Sequence, residues 1–358
     1  MEKKTRAVKI GGVKIGAGFP VAVQSMTNTR TSDVKSTLAQ IKRLEECGCE
    51  IVRCSVPDMD SAAAVLKIKR KIKIPLTADI HYDYRLAIEA IKNGADKIRI
   101  NPGNIGSAEK VRLVVEAAKK ARVPVRIGVN AGSLKPKTTY RLKASSGDKT
   151  ADKMVQNLLE YIEFFEWLDF TDIVVSLKAS DVPVTIMAHR LYSRLKDYPV
   201  HIGITEAGTE LSGTIKSSVG LGILLNEGIG DTMRVSLTAE PEKEVYTAYR
   251  ILDTLGIRKR GVEIISCPTC ARTEVDVIRL AGQVEKMTIN TAAVLKVAVM
   301  GCSVNGIGEA GHADIGVCGG KKIGIIFKSG KIVKKAAKKE LLKYFDREIK
   351  KLIREKGK

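Results

Sequence analysis

Aromatic residues are scarce, at 4% of the 358 positions, which argues against a stacking platform for single-stranded nucleic acid. No run of about 18 apolar residues occurs, so nothing in the sequence reads as a membrane span. The basic start, Met1-Glu2-Lys3-Lys4-Thr5-Arg6, lacks the apolar core of a secretory signal. These absences predict a cytoplasmic protein. No Gly-x-Gly-x-x-Gly turn follows the first predicted strand, which weighs against a doubly wound dinucleotide fold. Acids are outnumbered: 61 Lys and Arg against 40 Asp and Glu leave a formal charge of +21. Nucleic acid, an anionic membrane surface and an anionic small molecule compete to explain that excess. Many lysines fall in the amphipathic run 334–358, which reads as a solvated helix. The remaining charge suits long-range attraction of acidic ligands or partners.

The hydrophobic share of 44% supports a proper core. From residue 21 a regular alternation begins. Strands are predicted at 21–26, 50–56, 75–81, 97–101, 125–130, 172–177, 200–205 and 231–237. Helices are predicted after them at 33–47, 60–71, 84–93, 107–122, 151–168, 184–195, 210–227 and 240–255. Eight strand–helix units in about 255 residues is the rhythm of a (β/α)8 TIM-type barrel, preceded by a short hairpin within 1–20. Residues 1–256 are therefore read as the barrel. Residues 257–358 are read as a smaller α+β domain, with strands at 262–266, 293–300, 322–327 and 331–333 and helices at 274–284 and 338–354.

Barrel chemistry sits at the C-terminal strand ends. Those ends deliver Arg53, Asp79 and His81, Arg99 and Asn101, Arg126 and Asn130, Ser176 and Lys178, Glu206, and Arg234 and Ser236. Five cations converging on one mouth, with only Asp79 and Glu206 against them, call for a multiply charged anion. Guanidinium forks suit phosphate oxygens. Glu206 is the candidate proton donor, a carboxyl kept protonated by apolar walls, or else a structural acid paired with Lys178 or Arg234. Asp79 and His81 are candidates for orienting substrate and water.

The smaller domain carries Cys267-Pro268-Thr269-Cys270-Ala271-Arg272 and Gly301-Cys302-Ser303-Val304-Asn305-Gly306-Ile307-Gly308-Glu309-Ala310. A Cys-x-x-Cys turn and a third Cys from another segment make a three-sulfur corner. No second Cys-x-x-Cys completes a zinc ribbon. A cubane iron–sulfur cluster, a zinc knuckle and a redox Cys pair all remain open, with Cys318 or Glu309 for a fourth ligand. Cys47, Cys49 and Cys54 read as core residues, and seven Cys in such a chain do not suggest a disulfide framework.

The wording of these segments resembles the bacterial 4-hydroxy-3-methylbut-2-en-1-yl diphosphate synthase family of the non-mevalonate isoprenoid pathway. The resemblance also runs through Val23-Gln24-Ser25-Met26-Thr27-Asn28-Thr29, Ala78-Asp79-Ile80-His81 and Arg99-Ile100-Asn101-Pro102-Gly103-Asn104. It continues in Arg126-Ile127-Gly128-Val129-Asn130-Ala131-Gly132, Lys178-Ala179-Ser180-Asp181, Gly203-Ile204-Thr205-Glu206-Ala207-Gly208 and Arg234-Val235-Ser236-Leu237. It thus covers roughly residues 8–320. Ile307 departs from the family pattern, which reads Pro there. The resemblance implies a [4Fe–4S] cluster on Cys267, Cys270, Cys302 and Glu309, in a domain similar to the half-domains of sulfite and nitrite reductases. It implies 2-C-methyl-D-erythritol 2,4-cyclodiphosphate as the anion, held by Arg53, Arg99, Arg126, Asn130, Lys178, Arg234 and Ser236. It further implies reduced ferredoxin or flavodoxin as electron donor and a head-to-tail homodimer, with no nucleic-acid or membrane partner. Two rivals stand beside it: a zinc-containing barrel acting on a phosphorylated or pterin-like substrate, and a basic nucleic-acid-binding protein with a zinc knuckle.

Overall fold

The computed structural model describes residues 4–134, 140–142, 144–302, 308, 310–320 and 323–356. The chain divides into two compact units, Met1–Arg258 and Lys259–Lys358.

Unit 1 opens with a hairpin, β1 (Val8–Ile10) and β2 (Val13–Ile15). Eight parallel strands follow: β3 (Ala22–Met26), β4 (Ile51–Ser55), β5 (Leu76–Asp79), β6 (Lys97–Ile100), β7 (Val125–Asn130), β8 (Ile173–Lys178), β9 (His201–Ile202) and β10 (Thr232–Met233). They lie in the order β8-β7-β6-β5-β4-β3-β10-β9. A parallel bridge between Val175 and Val200 joins the two ends into a (β/α)8 barrel. Around it run α1 (Val34–Cys47), α2 (Met59–Lys69), α3 (Tyr84–Lys92), the one-turn α4 (Pro102–Ile105), α5 (Ala108–Ala121), α6 (Lys149–Trp167), α7 (Val182–Leu195), α8 (Glu210–Asn226) and α9 (Pro241–Thr254). Asp33, Asp58, Asp83, Ser107, Asp148 and Asp181 each accept from a first-turn amide, so the helix starts are written in the sequence.

The strands predicted at 200–205 and 231–237 are correspondingly only two residues long in β9 and β10. The chain leaves the ladder where Gly203 packs against Lys178 and Glu206 takes a left-handed conformation. The hairpin has a structural task. Val8, Ile10 and Ile15 bury against Ala22, Ile51 and Val174, at the N-terminal ends of their strands, and so plug the barrel floor. Cys47, Cys49 and Cys54 lie in the barrel core, as their apolar surroundings predict.

Unit 2 is a five-stranded sheet, β11 (Val262–Ser266), β12 (Leu295–Met300), β13 (Ile315–Cys318), β14 (Ile323–Lys328) and β15 (Lys331–Ala337), in sequence order. The first three are parallel and the last two antiparallel. β13 escaped the sequence reading, because Ile-Gly-Val-Cys is short and carries no alternation. α10 (Val277–Thr288) and α11 (Lys338–Lys356) cover one face with Leu280, Val284, Leu341, Phe345 and Ile349. Met300, Ala310, Ala313, Cys318 and Phe327 form a second, smaller cluster. Among the described residues no helix is long and apolar enough to cross a membrane.

Candidate active site

Period-two alternation sends every second residue of a strand inward, and here those positions are charged. Arg53 of β4, Asp79 at the end of β5, Arg99 of β6, Arg126 of β7 and Lys178 of β8 are all at most 9% exposed. Asp79 is register partner to Arg99, and Arg99 to Arg126. Asp79 binds both flanking arginines: Arg53 Nη2 donates at 2.6 Å and Arg99 Nη1 at 3.2 Å. Its Oδ2 also meets His81 Nε2 at 3.0 Å, and the His81 side chain is half exposed. Burial opposes the charged form of Asp79. Arg53, the His81 hydrogen bond and Arg99 nonetheless hold its carboxyl well below the usual range.

Two like charges set directly opposite destabilise a sheet, and this cluster is not neutralised. Burial, then the neighbouring guanidinia of Arg53 and Arg99, pushes Arg126 well below its ordinary value. Burial and the same cations depress Lys178. Burial lowers Arg53 to about 10 despite Asp79. Nε of Arg53 and Arg99, and both Nε and Nη1 of Arg126, are buried with no hydrogen-bond partner among the described residues. Donors of this kind are chemically matched to the oxygens of a multivalent anion.

Arg234, just beyond β10, belongs to the same cluster but has its own carboxylate. Glu244 of α9 accepts from Arg234 Nε at 3.2 Å and Nη2 at 3.1 Å, from Ser25 Oγ at 3.0 Å and from the Leu237 amide at 3.1 Å. The alternative pairing of Arg234 with Glu206 is therefore not what forms. Glu206 also lacks the apolar walls expected of it. It is exposed, with a φ of 52°, in the left-handed region that a side chain rarely enters. Asn101 is buried and donates to Ser133 Oγ at 2.8 Å. Asn130 ends β7, Ser176 is buried in β8, and Ser236 lies half-buried after β10.

Three contributors escaped the sequence reading. Glu244 carries no sequence signal that links it to Arg234. Lys97 did carry one, since it shares the inward face of β6 with Arg99. It is fully buried, donates to Gln24 Oε1 at 3.3 Å, and is held well below its ordinary value by burial and Arg126. The third is a pair of glycines. A Cβ on Gly203 would lie 2.5 Å from Lys178 Nζ, and one on Gly128 2.9 Å from Arg99 Nε. Their missing side chains are the space the cations occupy.

In unit 2, Cys267 and Cys302 follow the neighbouring parallel strands β11 and β12, whose register pairs Ser266 with Val299. The Gly301 amide donates to Cys267 Sγ at 3.1 Å, and the Glu274 amide donates to Gly301 O at 2.9 Å. The Cys270 amide donates to Thr273 Oγ1 at 3.0 Å. Hydrogen bonds from backbone amides thus hold the two cysteine segments at the C-terminal ends of β11 and β12. All three thiols are free; Cys270 is exposed, Cys267 and Cys302 half-buried. That donor set fits a thiolate-ligated metal group. Among the described residues, however, no three His, Cys, Asp or Glu side chains are gathered around a metal-sized point. Burial, then proximity to Cys302, raises the Cys318 thiol to about 11. Glu309 and 303–307 lie outside the described residues.

Residues 5–249 match the GcpE TIM-barrel domain family and residues 263–351 the GcpE protein C-terminal domain family. The chain belongs to the GcpE family. A GcpE relative from Caldanaerobacter subterraneus subsp. tengcongensis is 56% identical over 355 residues, covering 99% of each chain. One from Clostridium perfringens is 53% identical over 340 residues, covering 95% of this chain and 96% of its own. Both are named 4-hydroxy-3-methylbut-2-en-1-yl diphosphate synthase (flavodoxin). Among solved structures, dihydropteroate synthase from Stenotrophomonas maltophilia matches with a TM-score of 0.52 at 13% identity, over 70% of this chain and 98% of that one. At that identity the likeness shows the barrel fold alone.

Proposed function

We propose that this chain reductively opens 2-C-methyl-D-erythritol 2,4-cyclodiphosphate to 4-hydroxy-3-methylbut-2-enyl diphosphate and water. Counted on the fully protonated species, two electrons and two protons enter for each water that leaves. The observation that carries the reading is the excess of buried cations over carboxylates at the barrel mouth. Among the described residues, Arg53 and Arg99 pair with Asp79 and Arg234 with Glu244, while Arg126 and Lys178 have no carboxylate ion pair. A cyclic diphosphate supplies the missing charge, and family membership supports this identity for it.

In this reading the guanidinia and Lys178 anchor the diphosphate, with Asn101, Asn130, Ser176 and Ser236 as neutral donors. When the ring opens, negative charge develops on the departing phosphate oxygen, and preset cations stabilise it without reorganising. Asp79 orients Arg53, Arg99 and His81 together, so it sets the geometry of the anchor. Glu206 delivers the proton that leaves with oxygen as water. Its strained backbone fits a residue held in place for function. A [4Fe–4S] cluster on Cys267, Cys270, Cys302 and Glu309 would supply single electrons and a Lewis-acidic iron, with reduced flavodoxin or ferredoxin as donor.

The protein is read as a cytoplasmic head-to-tail homodimer in which each barrel works with its partner's cysteine domain. Mixing an Arg99→Ala chain with a Cys302→Ala chain tests this: activity recovered in the mixture supports sharing, and a dead mixture refutes it. The enzymatic reading itself is tested on anaerobically purified protein. About four irons and four sulfides per chain, with turnover of the cyclic diphosphate by a chemical reductant, are expected. Zinc without sulfide, from iron-replete cells, would overturn it.

A further inference from the structure

A groove between α10 and α11 takes no part in the chemistry above. One stretch, of about 670 Å³, is lined by Thr273, Glu274, Val275, Val317 and Leu341. It shares Leu280, Gln283 and Leu342 with a second stretch of about 630 Å³, which continues to Lys286, Lys343 and Phe345.

Three observations bear on its use. Its wall also holds the cysteines. Thr273 Oγ1 accepts the Cys270 amide, and the Glu274 amide binds Gly301 O, one residue from Cys302. Hydrogen bonds therefore link the groove to the backbone of both cysteine segments. Its lining is largely apolar, with Leu342 on the rim 41% exposed. Its rim is cationic as well: Arg279, Lys286 and Lys343 are exposed and have no ion-pair partner among the described residues. The acids nearby are engaged or few. Asp276 caps α10 by accepting the Arg279 amide, Asp346 pairs with Lys350, and Glu274 lies at the cysteine end. Unit 2 as a whole has 21 Lys and Arg against 10 Asp and Glu, an excess of +11 in 100 residues. An apolar floor with a positive rim is complementary to an apolar cofactor edge on an acidic protein.

We propose that this groove is the docking surface for the acidic one-electron carrier protein that reduces the cysteine-held centre. The proposal rests on the redox reading above. Each docking oxidises the carrier by one electron, and two dockings supply the two electrons of one turnover. Rim charges act mainly on encounter rate and salt dependence, so the groove sets affinity for the carrier and leaves the chemistry at the barrel untouched.

The test uses the full-length, metal-loaded enzyme with two reductants, reduced flavodoxin and reduced methyl viologen. In Lys286→Glu/Lys343→Glu the KM for flavodoxin should rise about tenfold or more at low ionic strength, equivalent to ~1.4 kcal/mol. The rise should shrink at high salt, and turnover with methyl viologen should match wild type. The charge-matched pair Lys71→Glu/Lys120→Glu, exposed on the barrel, should change neither. An unchanged flavodoxin KM, or an equal effect from the barrel pair, overturns the groove. A wild-type enzyme inert to methyl viologen overturns the redox reading instead. Metal content is measured on each variant. Should the double variant lose its centre, the single Lys343→Gln is read by the same criteria.

Discussion

Asp79 is the residue whose loss tests the logic of the barrel mouth most directly. It is fully buried, and it alone among the described carboxylates bonds to Arg53 and Arg99. Asp79→Asn keeps the shape and removes the charge. Breaking a buried pair by deleting one partner costs about 3–5 kcal/mol, because the other charge is left uncompensated. For a unit of this size each kcal/mol moves the melting point by about 2–4 °C, so the barrel transition should fall by roughly 6–20 °C. The assay is calorimetry on the whole chain, following the barrel transition separately from that of unit 2. Inorganic pyrophosphate should then restore more stability to the variant than to wild type, since the anion takes over a larger unmet charge. A ligand at 100 times its dissociation constant stabilises by about 2.7 kcal/mol. Glu109→Gln, which removes an exposed pair with Arg112, should melt with wild type. If Asp79→Asn melts within about 2 °C of wild type and gains no more from pyrophosphate, the unneutralised cluster is not what the geometry indicates.

Other predictions follow from individual residues. Gly203→Ala places a methyl 2.5 Å from Lys178 Nζ and 2.8 Å from the Arg234 carbonyl; binding of the cyclic diphosphate should weaken about tenfold or more, whereas Gly132→Ala, with open space around it, should bind normally. Glu206→Gly relieves a left-handed backbone worth about 1–2 kcal/mol and should raise the melting point, while turnover drops by about 10²–10⁴ if the carboxyl is the proton donor; unchanged turnover refutes that role. His189 is fully buried, and burial lowers it from 6.5 to about 4. Its neutral form therefore stabilises the barrel fully above pH 6.5, and that contribution, roughly 3 kcal/mol, is lost as pH falls toward 4. His189→Gln should flatten the stability profile across that window, and an equally steep profile in the variant counts against the assignment.

Much of this molecule could be read from its sequence because the signals are local. A strand–helix unit is written in about 30 neighbouring residues, and aspartates such as Asp33 and Asp181 cap helices three residues ahead. Period two along β6 places Lys97 and Arg99 on one face. The cations at the mouth could therefore be named from strand ends alone, and the cysteine segments from their wording. Which acid answers which cation was not local. Glu244 reaches Ser25 across 219 positions of sequence, and only the closing of β10 onto β3 brings them together. The same closure gives Arg234 to Glu244 and leaves Glu206 exposed, so the alternative pairing of Glu206 with Arg234 does not form. The space for Lys178 and Arg99 is likewise made by Gly203, just past β9, and Gly128 of β7. Composition and periodicity determined which groups face the barrel interior. Tertiary structure decided which of them are neutralised, because charge pairing depends on distances that exist only once the barrel has closed.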